Sequence, residues 1–153
     1  IIDVKSYSEQ EIIGETIDDA VGEAYDKVAR LIGLPYPGGP LLDKLAREGN
    51  PKAHILPVAK VGKYDFSLSG HKTAVLRLTQ KVKQEHGIDT FELESPLTKD
   101  ICASFQENVS KTLLKKVSIV LIMQRKLIKK IYIKYKYAAI KLNTKKLSNN
   151  LHL

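Results

Sequence analysis

Residues 14–40, GETIDDAVGEAYDKVARLIGLPYPGGP, decide how this chain is read. Apolar residues fall at Ile17, Val21, Ala24, Val28 and Leu31, a spacing that lays one stripe along a helix. Thr16 stands where an N-cap is needed, and Asp19 follows at the spacing of a capping start. Gly33 offers a left-handed stop and Pro35 forbids continuation. The stretch predicts one helix, a glycine turn at Gly38-Gly39 and the start of a second helix.

The opposite face of the first helix carries Asp19, Glu23 and Asp26 around a bare Gly22, with Arg30 four residues after Asp26. The ordinary reading is a solvated acidic face with one Asp–Arg pair, worth roughly 0.3–0.5 kcal/mol. A sharper reading sets Asp26 beside the Gly38-Gly39 turn. A carboxylate there accepts two hydrogen bonds from a ribose diol, and bare glycine backbone lets a flat ligand approach closely. Asp43, expected in the first turn of the second helix, adds a further acceptor. Pattern alone leaves both readings open.

These residues resemble a known family, the tRNA threonylcarbamoyladenosine transferases, once called glycoproteases or O-sialoglycoprotein endopeptidases. The resemblance rests on residues 14–46, on DFSLSGHKTAV at 65–75 and on DICASFQE at 100–107, three blocks in the family's order. It spans about residues 1–115. It implies an α/β chain, mainly helices with a few strands, that is a fragment of the actin-like ATPase and sugar-kinase (ASKHA) fold. The implied reaction moves threonylcarbamoyl from its adenylate to N6 of the adenosine beside the anticodon of ANN-decoding tRNAs. Asp26 and Gly39 match substrate-binding positions of the family and Asp43 a third, all facing the adenosine part of the adenylate. Catalytic residues are not assigned.

The family also holds one divalent metal, iron or zinc, through two histidines and a distant aspartate. Those ligands, a Ser-Gly-Gly-His-Thr substrate loop and a later nucleotide-binding asparagine have no counterpart here. The resemblance therefore implies an isolated chain without activity, whose partners in the family are threonylcarbamoyl-adenylate, tRNA and the proteins of a tRNA-modification complex. A non-enzymatic RNA- or nucleotide-binding remnant is the alternative. A metallopeptidase ranks last, because no H-E-x-x-H motif occurs.

Composition bounds the rest. A chain of 153 residues with 43% hydrophobic content can bury one core. No run of about twenty apolar residues exists to span a membrane, and no basic-then-apolar leader is seen. Cys102 is the sole cysteine, which excludes an internal disulfide and suits a reducing cytoplasm. His54, His71, His86 and His152 show no metal-ligand spacing, so no metal is expected. Gly70-His71-Lys72-Thr73 lacks the earlier glycine of a phosphate-binding loop. The family has leucine where His71 stands, which reads as relaxed constraint or a tolerated surface change.

Further elements follow from pattern. Ile1–Ser6 and Glu11–Ile13 read as a strand pair, the end of a sheet whose other strands the resemblance puts upstream. Leu41–Arg47 reads as a short helix, and residues 52–64 as irregular with a possible strand at His54–Leu56. Asp65–Leu68 reads as a strand, Thr73–His86 as an amphipathic helix, Gly87–Ser95 as a loop. Leu97–Lys116 reads as a core-packing helix with no site of its own.

The net charge of +8 conceals two kinds of sequence. Twelve of the 25 Lys and Arg lie after Glu107 and none of the 17 acidic residues does, so residues 1–107 carry −4 and the remainder +12. Of the 37 residues from Val117 onward, 26 are Ile, Leu, Lys, Tyr or Asn, and none is Gly or Pro. The expected division is 1–115 as a partial nucleotide-facing domain and 116–153 as a basic, low-complexity tail. Two readings of the tail stand: a basic arm for RNA or an acidic surface, and, favoured by the abrupt shift in composition, out-of-frame translation of an A+T-rich gene.

Overall fold

The computed structural model describes the backbone of residues 1–58 and 61–149, with side chains as far as residue 127 and that of Lys129. Residues 59–60 of the stretch expected to be irregular, and His152, lie outside the described residues. The chain is α/β, with a two-stranded sheet and four helices among those residues. Strands β1 (Ile2–Val4) and β2 (Gln10–Ile12) form the expected antiparallel pair, in the register Ile2↔Ile12, Asp3↔Glu11 and Val4↔Gln10. The turn closes where Lys5 N–H donates to the Glu9 carbonyl at 3.0 Å.

Helix α1 spans Val21–Leu31, so it starts five residues after the predicted cap at Thr16. Thr16 instead makes a single parallel bridge with Phe66. Ile17 N–H donates to the Phe66 carbonyl at 2.9 Å and Phe66 N–H to the Glu15 carbonyl at 2.8 Å. These long-range bonds hold residues 15–17 extended, and local capping chemistry loses to them. Ile17 is consequently 62% exposed rather than part of the helix stripe. The C-terminal expectation holds: Gly33 adopts φ +84°, in the left-handed region that glycine tolerates.

Helix α2 runs Gly38–Ala46 and α3 Ser69–His86, beginning three and four residues earlier than predicted. Gly38-Gly39 is therefore the first turn of α2 rather than a turn before it. Asp43 sits in the second turn. Residues 65–68 make only the one bridge at Phe66, and residues 54–56 make no strand. Helix α4 starts at Pro96, as the closing proline suggests, but continues to Asn149 rather than ending near Lys116. The reason lies in composition: from Val117 no Gly or Pro interrupts a run rich in Leu, Lys and Ile. The chain divides into two compact units, Ile1–Val117 and Ser118–Leu153. Among the described residues no helix is long and apolar enough to cross a membrane.

The core of the first unit joins Ala24, Val28 and Ile32 of the α1 segment to Leu42 and Leu45 of α2, Val75 of α3, and Ile101, Phe105 and Val109 of α4. Tyr25 packs edge-on against Phe105 at 5.0 Å between ring centres. His71 lies in this interior, 0% exposed, which corrects the surface reading. Its Nε2 is 3.3 Å from the Thr112 hydroxyl, and its Nδ1 has no hydrogen-bond partner. Burial pushes the imidazole below its usual pKa, against smaller opposing pulls, first from the Ser67 backbone and then from the Asp18 charge.

An imidazole depressed by folding is protonated first in the unfolded chain. Its stability contribution is intact above about pH 6.5 and is lost as pH falls below that value. His71→Leu is expected to stabilise the protein by on the order of 1 kcal/mol at pH 8, by removing a buried polar atom without a partner. The gap to the parent should widen in urea titrations at pH 5. His54, also lowered by burial, is common to both proteins and cancels. A gap that stays constant from pH 8 to 5 would refute the titration argument.

Candidate functional site

Asp26 and Gly39 meet directly. The Gly39 N–H donates to Asp26 Oδ1 at 2.8 Å, so a carboxylate on α1 serves the open N-terminus of α2. The residue in the N-cap position is Pro37, which offers no side-chain acceptor of its own. Glycine is needed at the first of the two following positions and fits closely at the second. A Cβ on Gly38 would collide with the Ala29 side chain, and one on Gly39 would press on Asp26 Oδ1 at 3.3 Å. Among the described residues no ion pair joins Asp26 to Arg30, so the expected Asp–Arg pair is absent. Lys27 takes the acidic face instead, bridging Asp19 at 2.5 Å and Glu23 at 2.8 Å.

Asp43 lies one helical turn beyond Gly39, on the same side of α2. Its Oδ2 pairs with Arg47 at 2.6 Å and its Oδ1 accepts from Gln106 Nε2 at 3.1 Å. The Arg47 and Gln106 hydrogen bonds hold this carboxyl below the usual range. Burial, assisted by the Asp43 charge, raises the Tyr25 phenol. Gln106 was not anticipated, since α4 read as packing alone. Its signal was an amide directly beside the buried stripe residue Phe105. The depression at this corner, lined by Asp26, Arg30, Leu34, Pro35, Tyr36 and Gly38, holds about 100 Å³. Enclosed small-molecule sites run from roughly 300 Å³ upward, so these residues offer one wall rather than a cavity.

Asp18 was also missed, and it is the most heavily bonded carboxylate described. It accepts from the Ser67 hydroxyl at 2.6 Å, Leu68 N–H at 2.7 Å, the Ser69 hydroxyl at 2.8 Å and Ser69 N–H at 3.2 Å. Burial opposes its ionisation, but these donors together outweigh that and hold the carboxyl far below its ordinary value. The N-cap position of α3 is Leu68, another residue without an acceptor. Serines at 67 and 69 flanking an apolar cap were the available signal. No group of three metal-ligating side chains occurs among the described residues. The Nε2 of His71 faces a hydroxyl rather than a carboxylate, so the residues present do not fit the family metal.

The model of the tRNA N6-adenosine threonylcarbamoyltransferase family (TsaD) matches residues 1–152. The chain belongs to this family of tRNA-modifying transferases. A protein of that name from Trichodesmium erythraeum is 55% identical over 123 residues, covering 76% of this chain and 37% of the relative. One from Christiangramia forsetii is 52% identical over 117 residues, 76% of this chain and 33% of its own. One from Chromobacterium violaceum is 48% identical over 115 residues, 74% and 33% respectively. The chain thus spans about a third of the length of these curated relatives. The family match runs beyond residue 115, where the resemblance was expected to end.

Asp18→Asn should leave one oxygen to accept and lose the charge that draws the Ser67, Leu68 and Ser69 donors. The expected cost is on the order of 1 kcal/mol, since the carboxylate is solvent-exposed and screening discounts its bonds. A carboxyl depressed by folding contributes above about pH 3.9 and loses that contribution as pH falls further. Urea unfolding at pH 7 should therefore separate variant from parent, with the two converging below pH 4. Equal stability at pH 7 would show that the cap does not hold α3.

Proposed function

We propose that residues 1–115 are the adenosine-facing part of a tRNA threonylcarbamoyladenosine transferase, incomplete without the remainder of an actin-like ATPase and sugar-kinase (ASKHA) architecture. The carrying observation is the Asp26–Gly39 hydrogen bond, which sets a carboxylate against bare backbone at the start of α2. In this reading Asp26 accepts from a ribose hydroxyl through its second oxygen, Gly39 leaves room for the nucleoside, and Asp43 receives a further donor. The substrate is threonylcarbamoyl-adenylate, the acceptor is tRNA, and the setting is the cytoplasm with partner proteins of the modification complex. No step is assigned to a metal. Residues 116–153 are a separate basic segment in the same proposal.

A non-enzymatic RNA-binding reading draws on the twelve cations after Glu107. It predicts steep salt dependence of binding. Deleting 117–153 separates the two, because loss of all tRNA affinity with that deletion would favour the arm.

The 153-residue chain by itself is expected to transfer no threonylcarbamoyl to tRNA, even with the family's partner proteins supplied. Grafted into the Trichodesmium erythraeum relative in place of the matched segment, it should support transfer. In that graft, Asp26→Ala should weaken adenylate binding by on the order of 1.5–3 kcal/mol, the range for hydrogen bonds to a charged group. Asp26→Asn isolates the ligand term, because its carbonyl oxygen can still receive the Gly39 N–H. Unchanged adenylate affinity in Asp26→Asn and Asp26→Ala would return Asp26 to a purely structural role.

A further inference from the structure

Three cations converge where the start of α3 lies beside α1. Lys27, Arg30 and Leu31 share one side of α1, and with Lys72 of α3 they line an open depression of about 300 Å³. Lys27 is neutralised by Asp19 at 2.5 Å and Glu23 at 2.8 Å. Arg30 and Lys72 are exposed, and no ion pair involves either among the described residues. Lys72 does not serve its own helix, because a cation in the first turn faces the positive end of the α3 dipole. Residues 1–107 carry −4, so two free cations at one depression are a local exception on an acidic body.

Arg30 also lines the smaller depression that contains Asp26. An anion held between Arg30 and Lys72 therefore lies next to the corner proposed for the adenosine. We infer that Arg30 and Lys72 form a docking site for a backbone phosphate of the acceptor RNA. The inference rests on the transferase reading, in which the accepting nucleoside comes alongside the adenylate and its flanking phosphodiesters pass this corner. An acidic body repels a polyanion unless cations stand on its path. Arg30 offers a planar fork of donors matched to phosphate oxygens, and Lys72 a point charge. Contacts of this kind set register and orientation without reading bases.

Lysine acetylation of the full chain reads the site directly. Lys72 and Lys81 are both exposed and lie on opposite sides of α3. Their modification is followed by peptide mass, with and without the anticodon stem-loop RNA of an ANN-decoding tRNA. With the RNA, acetylation of Lys72 should slow roughly fivefold or more at about 0.1 M salt, while Lys81 keeps its rate. The surface changes Arg30→Gln and Lys72→Gln are then made in the graft. Each should weaken stem-loop binding roughly fivefold at about 0.1 M salt and lower the salt slope by about one.

Unchanged acetylation of Lys72, or equal slowing at Lys81, overturns the docking site. So does a graft whose affinity and salt slope survive both substitutions. Protection of Lys72 by AMP at the same concentration assigns the depression to a mononucleotide, and equal protection by poly-L-glutamate assigns it to an acidic protein. Either result overturns RNA docking. A graft that binds the stem-loop through Arg30 and Lys72 yet transfers nothing leaves the phosphate site standing and sinks the transferase reading.

Discussion

Two carboxylates hold the starts of two helices that cannot cap themselves. Helix α3 begins after Leu68 and α2 after Pro37, and neither residue carries a side-chain acceptor. Asp18 supplies the first and Asp26 the second, from positions about 50 and 13 residues away in sequence. Orphan amides at a helix start require some partner, and an anion is the strongest one available there. The consequence reaches backward along the chain. With Asp18 committed to Ser67, Leu68 and Ser69, residues 15–17 are drawn into extended pairing beside Phe66. Helix α1 can then begin only at Val21.

That dependence separates what the sequence could disclose from what it could not. The Gly33 stop, the stripe at Ala24 and Val28, the hairpin and the core face of α4 near Ile101 and Phe105 are set by residues close to one another in sequence. They were legible. The false start at Thr16 and the late starts assigned to α2 and α3 share a cause. In each case a contact from outside the element set where the helix begins. Asp43 and Gln106 meet across 63 residues, a pairing that helix periodicity does not encode. His71 was misjudged because a histidine in a leucine position looks like a surface change, whereas helix phase puts it on the Val75 and Val82 face.

In the proposed reading, the corner at Asp26 gives structure and binding a shared atom group. One carboxylate oxygen already accepts from Gly39, so a ligand there meets the other. Any shift of Asp26 toward a ligand therefore loosens the first turn of α2, the turn on which Gly38 packs against Ala29. A ligand bound in the proposed way would be coupled to the seating of α2 without any moving loop. The same coupling makes alanine a poor probe of ligand contacts here, because it removes the cap as well.

The long fourth helix shows how little regular backbone says about tertiary purpose. Its first part alternates buried Ile101, Phe105, Val109 and Thr112 with exposed or ion-paired residues such as Lys111 and Glu107. That is the pattern of a helix made for a core. Beyond Val117 the chain loses every acidic residue and every breaker, keeping Lys, Leu and Ile in quantity. Such a composition propagates a helix already begun, because elongation adds a hydrogen bond per residue without a new nucleus. The continuation to Asn149 thus follows from local propensity whether the residues belong to a basic arm or to a shifted reading frame.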